Sequence, residues 1–268
     1  MNFITYNQLK KDVIEWSKEL PNDFDVIVGV ERSGIIPATI LALHWNKPFL
    51  TFNQLLEYNG SVYIDSKVSI KEVNRVLIID DSISSGRAME RMRNEMGNMD
   101  FVFKTGAVYG FDSNHDLVDY IFKDILSPRM FEWNFQHNEN LPNCILDIDG
   151  LIFKEPPLED DTEAYEAYLG NPTPLYIPTV PVMGIVTGRL EKYREVTEKT
   201  LARYGVKYGF LKMANYTTPQ ERRQDNMGVM KGLEFNNSEA SVFIESSKEQ
   251  ADIMRKMCVK DIICIEEF

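Results

Sequence analysis

Residues 75–86 read RVLIIDDSISSG, an apolar stretch that ends in two acids and a serine-rich loop. Residues 76–79 form a short continuous apolar run, as is typical of a strand buried on both faces of a parallel sheet. Asp80 and Asp81 follow this run, and three methionines within residues 89–96 give the next segment one apolar helical face. The stretch therefore predicts a strand, a loop and a helix, the repeating unit of a parallel α/β sheet.

The same order of strand and helix recurs on both sides of this stretch. The further predicted strands are 25–30, 105–110, 143–147, Val182–Thr187, Ser241–Glu245 and Asp261–Ile265. The further predicted helices are 9–20, Ile35–Trp45, Leu190–Tyr204 and Lys248–Cys258. Between residues 127 and 143 the chain is polar and proline-containing, which indicates a boundary. We expect an α/β protein of two domains, 1–140 and 141–268, each a parallel sheet flanked by helices.

Length and charge narrow the class of protein. The 268 residues exceed the usual size of one compact domain, and the net charge of −12 argues against a basic surface for nucleic acid. No apolar run approaches the ~20 residues of a membrane span, and residues 1–11 lack a signal-peptide core. The three cysteines lie in apolar stretches, which favours reduced core thiols. A cytoplasmic protein that binds small molecules, with no membrane or nucleic-acid partner, is expected.

The loop after Asp80 and Asp81 suits a phosphate ester. It lies at the carboxyl end of a predicted strand and opens a helix, where open α/β sheets bind ligands. Its backbone amides can face a phosphate at the positive helix end, and the two acids can accept hydrogen bonds from vicinal ribose hydroxyls. The predicted phosphate-binding residues are Ser82, Ser84, Ser85, Gly86 and Arg87.

A second loop, residues 29–38, also joins a predicted strand to a helix. Gly29 and Gly34 allow close approach of the backbone, and the turn amides with Arg32 and Ser33 suit a pyrophosphate.

These two loops resemble those of the type I phosphoribosyltransferase family. The family signature of four apolar residues, two acids, a few variable residues and then Ser or Thr before Gly corresponds to residues 76–86. Its pyrophosphate loop corresponds to residues 30–34. The resemblance covers about residues 20–140 and implies the phosphoribosyltransferase fold. One departure is Ala88, where many members have Thr, and it would weaken one phosphate contact.

The resemblance implies a sugar donor, 5-phosphoribosyl 1-pyrophosphate (PRPP), carried with Mg²⁺. Asp80 and Asp81 would hold the ribose hydroxyls, and residues 82–87 would cradle the 5′-phosphate. The residues implied at the pyrophosphate are Arg32, Ser33 and Gly34. Because the transferred sugar is cation-like, fixed negative groups would help the reaction. The acceptor would be a nucleobase, and the resemblance leaves a homodimer open.

The sequence indicates the base site less specifically than the two phosphate-binding loops. In purine-using relatives a late aromatic residue stacks on the base, and Trp133 lies in the comparable place, with Phe131 the weaker choice. Packing between the domains is the alternative role for both rings. The family's lid would fall within residues 52–69, with its tip at residues 58–60.

The second predicted domain begins with another acidic strand end. Asp147 and Asp149 follow an apolar run, and two acids two residues apart point to the same side of an extended chain. One carboxylate can attack phosphorus while the other transfers a proton, or both can share a cation.

The order of motifs after Asp147 resembles the haloacid dehalogenase-like (HAD) hydrolase family over about residues 141–268. The resemblance implies a Rossmann-like fold with a small cap or none, because the stretch between Gly150 and Val182 is short. Asp147 would form an aspartyl-phosphate and Asp149 would be the general acid and base. The other implied residues are Thr187 for the phosphoryl oxygen, Lys231 for charge neutralisation, and Asp147, Asp149 and Glu245 for Mg²⁺.

Two features depart from that pattern. The family usually has paired acids at its last motif, whereas this chain has Glu245 followed by Ser246, so metal binding would be weaker or through a water. Lys231 is chosen by position alone, and Lys212 is its rival. The arginines of residues 222–223 are further alternatives.

Together the resemblances imply a bifunctional enzyme of nucleotide metabolism. Phosphoribosyl transfer to a nucleobase-like acceptor would be coupled to Mg²⁺-dependent hydrolysis of a phosphate monoester. Three alternatives stay open: a PRPP-sensing regulator, permitted by Ala88 and Ser246; an end phosphatase for nucleic acid; and a structural or dimerisation role for the second domain.

Overall fold

The described part of the chain forms two compact units. The structure, a computed structural model, describes residues 1–57, 73–97, 101–111, 116–157 and 162–267. Contacts group residues Asn2–Arg129 into a first unit, and Met130–Phe268 with Met1 into a second. The expected lid tip, Tyr58, Asn59 and Gly60, lies outside the described residues. The expected domain limits, 1–140 and 141–268, stay a prediction.

The first unit contains one five-stranded parallel sheet in the order β3-β2-β4-β5-β6. Its elements are β1 (Asn2–Ile4), α1 (Tyr6–Trp16), β2 (Val26–Gly29), α2 (Ile35–Trp45), β3 (Phe49–Thr51), α3 (Phe52–Leu56), β4 (Arg75–Ser82), α4 (Arg87–Glu95), β5 (Val102–Gly110) and β6 (Tyr120–Asp124), followed by β7 (Arg129–Phe131) at the junction of the units. The central strand β4 lies between β2 and β5, and its residues 76–79 are fully buried. This is the buried parallel strand that the apolar run predicts.

The second unit contains another five-stranded parallel sheet, in the order β10-β9-β8-β11-β12. Its elements are β8 (Cys144–Leu146), α5 (Glu163–Gly170), β9 (Val182–Leu190), α6 (Arg194–Arg203), β10 (Tyr208–Ala214), α7 (Pro219–Gln224), α8 (Met227–Asn236), β11 (Val242–Glu245), α9 (Lys248–Met257) and β12 (Asp261–Cys264). Strand β8 is central, between β9 and β11. Among the described residues, α5 is the one α-helix between β8 and β9.

Several predicted elements are confirmed, but a number of boundaries differ by a few residues, as in α1, which covers Tyr6–Trp16 where 9–20 is predicted. Helix α2 matches its predicted range, and α9 ends one residue early. The helix expected to begin at Leu190 begins instead at Arg194, because β9 continues to Leu190. That extension pairs Leu190 with Ala214 of β10 across a register shift. Thr187 therefore lies within a strand and not at its end.

The described residues carry no membrane-crossing signal. No helix among them is both long enough and apolar enough to span a bilayer. All three cysteines are buried and unpaired, as the apolar context of each predicts. Burial raises the pKa of the Cys144 thiol to about 12, so it stays protonated at neutral pH.

Shortening one buried side chain on the central strand β4 tests the core of the first unit. Ile78 is fully buried in β4, so Ile78→Ala removes packing and leaves a cavity that costs about 2–5 kcal/mol of the free energy of unfolding. Val102→Ala is the matched control, because Val102 is 61% exposed on β5 and its loss should change the free energy by less than about 0.5 kcal/mol. Urea unfolding followed by circular dichroism measures both, and equal losses would contradict the assignment.

Candidate functional site

Two loops of the first unit meet at the carboxyl edge of its sheet. Strands β2 and β4 are neighbours in register, with Gly29 opposite Ile79, so the loops that follow them lie side by side. The loop after β2 packs against β4 at Gly34, where a Cβ would lie 2.7 Å from the Ile79 carbonyl oxygen and 2.9 Å from the Asp80 Cα. Only glycine fits between the two loops at this position.

A direct hydrogen bond links the two loops. The Ser33 hydroxyl donates to Asp81 Oδ1 at 2.9 Å, which ties the predicted pyrophosphate loop to one of the two acids. Arg32 precedes it on the exposed side of the same turn, whose Glu31–Arg32 peptide bond is cis. The structure thus brings together three of the predicted groups, Arg32, Ser33 and Gly34, beside the acids.

The Asp81 charge lies close enough to Asp80 to affect the ionisation of Asp80. The Asp81 amide donates to Asp80 Oδ1 at 2.8 Å, and the Asp81 side chain is buried. Burial, followed by the adjacent Asp81 charge, holds the pKa of Asp80 well above its usual range. A site with this much negative charge favours a bound cation.

The loop after the acids ends at a helix N-terminus. Asp80, Asp81 and Ser82 are themselves part of β4, so the loop is shorter than predicted. Gly86 has a φ of 72°, which glycine adopts freely, and it starts α4. The Arg87 Nε donates to the Ser85 hydroxyl at 3.2 Å, so both predicted side chains lie beside that helix end. Ser84 lies in the same loop, between the end of β4 at Ser82 and Ser85.

Arg129 joins this site although the sequence offers no signal for it. Its Nη2 donates to the Ile83 carbonyl oxygen at 2.7 Å, within the phosphate loop. Its guanidinium lies 4.3 Å from the centre of the Phe111 ring. Burial lowers the pKa of Arg129, and the Asp81 charge opposes that shift. In the sequence, Arg129 is one arginine in a polar linker with no motif around it.

Trp133 belongs to the second unit. Its ring stacks on Phe131, with 4.9 Å between centroids and 20° between planes. Phe131 is buried, whereas Trp133 is half-buried. Its role at a base stays a prediction.

In the second unit, one lysine joins two acids. The Lys231 Nζ lies 2.9 Å from Asp147 Oδ2 and 2.8 Å from Glu245 Oε2, and all three side chains are buried. The two carboxylates raise the pKa of Lys231 against the opposing effect of burial, so the ammonium form is held. Lys212, the rival in the sequence, is instead exposed and lies 3.6 Å from Glu234.

Ser246 also contacts this cluster. Its hydroxyl donates to Asp147 Oδ2 at 3.0 Å, while its backbone amide donates to Glu245 Oε1 at 3.0 Å. The residue that departs from the paired-acid pattern therefore orients the first acid. Burial, followed by the Asp147 charge, raises the pKa of Glu245 to about 7.

Asp149 is held by a different cation. Arg189 donates from Nε to Asp149 Oδ2 at 2.8 Å and from Nη2 to Oδ1 at 2.6 Å. Thr187, two residues before Arg189, is buried and accepts a hydrogen bond from the Arg189 amide at 3.3 Å. The predicted acids, which follow β8, thus meet the predicted hydroxyl of Thr187 within the neighbouring strand β9.

These groups line one cavity of about 270 Å³. The predicted residues at its wall are Asp147, Asp149, Thr187, Lys231, Arg222 and Arg223, and Arg189 lies there as well. Glu245 lies behind Lys231. Among the described residues, no group of three or more His, Cys, Asp or Glu side chains is arranged as a metal-binding cluster.

Glu155 is a cavity residue that the sequence places in a solvated acidic run. Tyr168 of α5 donates to the Lys154 carbonyl oxygen at 2.7 Å, which fastens the segment before Glu155 to the helix. Burial, then Asp149 and Asp147, raise the pKa of Glu155 to about 7. That run, residues 155–166, also contains Glu159, Asp160 and Asp161, which lie outside the described residues, and Glu163 and Glu166 in the first turn of α5.

Comparison with known proteins identifies the first half of the chain. The family model for the phosphoribosyl transferase domain matches residues 5–140. No match to a curated protein sequence was found.

Solved structures of such enzymes are similar to part of the chain. The xanthine-guanine-hypoxanthine phosphoribosyltransferase of Helicobacter pylori is 20% identical, with a TM-score of 0.37, over 49% of this chain and 92% of that one. The purine phosphoribosyltransferase of Pyrococcus horikoshii Ot3 is 20% identical, with a TM-score of 0.38, over the same shares. The orotate phosphoribosyltransferase of Aeropyrum pernix is 14% identical, with a TM-score of 0.33, over 45% and 71%.

The raised pKa of Glu155 predicts a pH-dependent stability. The folded state binds this proton more tightly than the unfolded state, whose pKa is near 4.5. The stabilisation is therefore complete below pH 4.5 and is lost as the pH rises through 7. We expect the melting temperature of the second unit to fall from pH 5 to pH 8, and Glu155→Gln to flatten that fall, with the part due to Glu245 remaining.

Glu195→Gln is the control for this measurement. Lys199 lowers the pKa of Glu195, so removing that carboxylate should not flatten the slope. Calorimetry across the pH range measures all three proteins. An unchanged slope in Glu155→Gln would contradict the expected proton uptake.

Proposed function

Because this chain belongs to the phosphoribosyl transferase domain family, we propose that its first unit transfers the phosphoribosyl group of PRPP to a nucleobase-like acceptor. The observation that carries this proposal is the hydrogen bond from Ser33 of the first loop to Asp81, which lies near the end of β4 just before the second loop. A ligand with a 5′-phosphate on one loop and a pyrophosphate on the other would span that junction, with its ribose over Asp80 and Asp81.

The residues of this site suit the reaction. The acceptor nitrogen would attack C1 of the ribose while the C1–O bond to pyrophosphate breaks. Asp80 and Asp81 would hold the ribose hydroxyls and stabilise the cation-like sugar. The amides of residues 82–87 and the α4 N-terminus would hold the 5′-phosphate. Because the acids crowd negative charge, the site also fits PRPP carried with Mg²⁺.

We further propose that the second unit hydrolyses a phosphate monoester. The observation that carries this is Lys231, whose ammonium lies between Asp147 and Glu245 at the wall of a cavity. Asp147 would attack phosphorus to form an aspartyl-phosphate, and Thr187 with Lys231 would stabilise the phosphoryl oxygens. Asp149 would give a proton to the leaving oxygen and then take one from the attacking water.

Carboxylate oxygens are the donors that Mg²⁺ prefers, so the donor set of this cavity fits that ion. Burial, followed by the charges of the neighbouring acids, raises the pKa values of Glu155 and Glu245. Asp147, Asp149 and Glu245 would hold the ion, and when bound it would neutralise charge on the phosphoryl group.

The two activities would act in sequence. The product of phosphoribosyl transfer carries a 5′-phosphate, and its removal would leave a nucleoside and draw the reversible first step forward. The acceptor would then be a nucleobase of nucleotide metabolism. Assaying pyrophosphate release with a panel of nucleobases would identify it.

Asp81→Asn tests the first activity. We expect pyrophosphate release from PRPP, Mg²⁺ and the active base to fall by about 10²–10³-fold, because one fixed negative group at the cation-like sugar is lost. Asp23→Asn is the matched control, since Asp23 is an exposed acid of the same unit that pairs with Arg75. If the wild type bound PRPP but released no pyrophosphate with any base, the first unit would be a PRPP sensor and not a transferase.

Asp147→Asn tests the second activity. We expect phosphate release to fall by at least about 10³-fold, because the attacking carboxylate is removed, while pyrophosphate release stays unchanged. Asp252→Asn, at an exposed position on α9, is the control. The proposal would fail if Asp147→Asn retained phosphate release, and the coupling would fail if the wild type ignored the mononucleotide formed by the first activity.

A further inference from the structure

Arg189 is one of the largest fully buried side chains of the described chain, at 1% exposure. A buried guanidinium is costly unless it is paired, and here the partner is Asp149. Two hydrogen bonds join the planar groups side by side, Nε to Oδ2 and Nη2 to Oδ1. This bidentate arrangement fixes the plane of the carboxylate as well as its position.

Other contacts hold Arg189 in place. Its Nη1 lies 3.4 Å from the hydroxyl of Thr197 on α6, and its guanidinium lies 5.9 Å from the centre of the buried Phe153 ring. Its backbone amide donates to Thr187 within β9. β9 and α6 both restrain Arg189. Because the guanidinium is held in one orientation, it also holds the Asp149 carboxylate in one orientation.

Asp149 lies at the wall of the cavity, where its side chain is 15% exposed, whereas that of Arg189 is 1% exposed. A carboxylate offers about four lone-pair sites, and Arg189 takes one on each oxygen. The remaining sites point away from the guanidinium, and one of them can carry the proton that a departing alkoxide needs.

We propose that Arg189 is a positioning residue, which holds the Asp149 carboxyl group in the one orientation from which it passes a proton to the leaving oxygen of a phosphate ester. This inference rests on the proposed phosphatase function. In the first step Asp147 forms a bond to phosphorus, the P–O bond to the leaving group breaks, and that oxygen takes the proton of Asp149. In the second step a water attacks phosphorus, frees Asp147 and returns a proton to Asp149.

The leaving group separates this role from a structural one. Glycerol 2-phosphate leaves as an alkoxide and needs a proton, whereas p-nitrophenyl phosphate leaves as a stable anion and needs none. We expect Arg189→Gln to lower kcat about 100-fold or more on glycerol 2-phosphate and about 10-fold or less on p-nitrophenyl phosphate, with KM little changed. Arg189→Lys, which keeps the charge but loses the planar fork, should lie between wild type and Arg189→Gln.

A double-mutant cycle adds a second readout. If Arg189 acts through Asp149, then Arg189→Gln should change the activity of Asp149→Asn by less than about threefold. Arg194→Gln is the matched control, because Arg194 also forms ion pairs on α6 but away from the cavity, and its activity should stay within about twofold of wild type. Thermal melts report folding, and Thr197→Val gives a milder disturbance with the same expected preference for p-nitrophenyl phosphate.

The outcomes are distinct. Equal losses on both esters, repeated in full in the Asp149→Asn background, would overturn the positioning role while leaving the phosphatase intact. A wild-type chain that hydrolyses neither ester in an Asp147-dependent manner would refute the proposed function itself, and the role of Arg189 with it.

Discussion

A parallel sheet that is buried on both faces leaves few places for charge. In both units the strands at the centre are apolar along their length, so their ionisable residues collect at the carboxyl ends. Asp80 and Asp81 close β4, and Asp147 and Asp149 follow β8. The ionisable groups that could act in catalysis therefore lie at the carboxyl edge of each sheet. Burying a charge there costs free energy unless a partner of opposite charge or a hydrogen-bond partner is supplied.

The two units answer that constraint differently. In the first, two adjacent acids share one edge, and burial, followed by the Asp81 charge, raises the pKa of Asp80. In the second, each acid is given a cation from another element, Lys231 of α8 for Asp147 and Arg189 of β9 for Asp149. The first site therefore suits a ligand that brings a cation with it, whereas the second site already contains two cationic side chains, Lys231 and Arg189.

The strand ends could be predicted from sequence because an apolar run that stops at two acids is a local pattern. The choice between Lys231 and Lys212 could not, since it depends on which helix face and which strand edge meet Asp147. Ser246 shows a similar limit, because only the folded chain directs its hydroxyl to Asp147. Arg129 and Glu155 reach their sites through tertiary packing, and no motif surrounds either of them.

The pairing of Arg189 with Asp149 also constrains how this chain can evolve. Loss of Asp149 alone leaves Arg189 charged and buried, at a cost of about 3–5 kcal/mol. Such a cost is comparable with much of the stability of a small domain. A descendant that abandons the second site should therefore replace both residues by apolar ones together, and the survival of only one of them would mark a recent or incomplete loss.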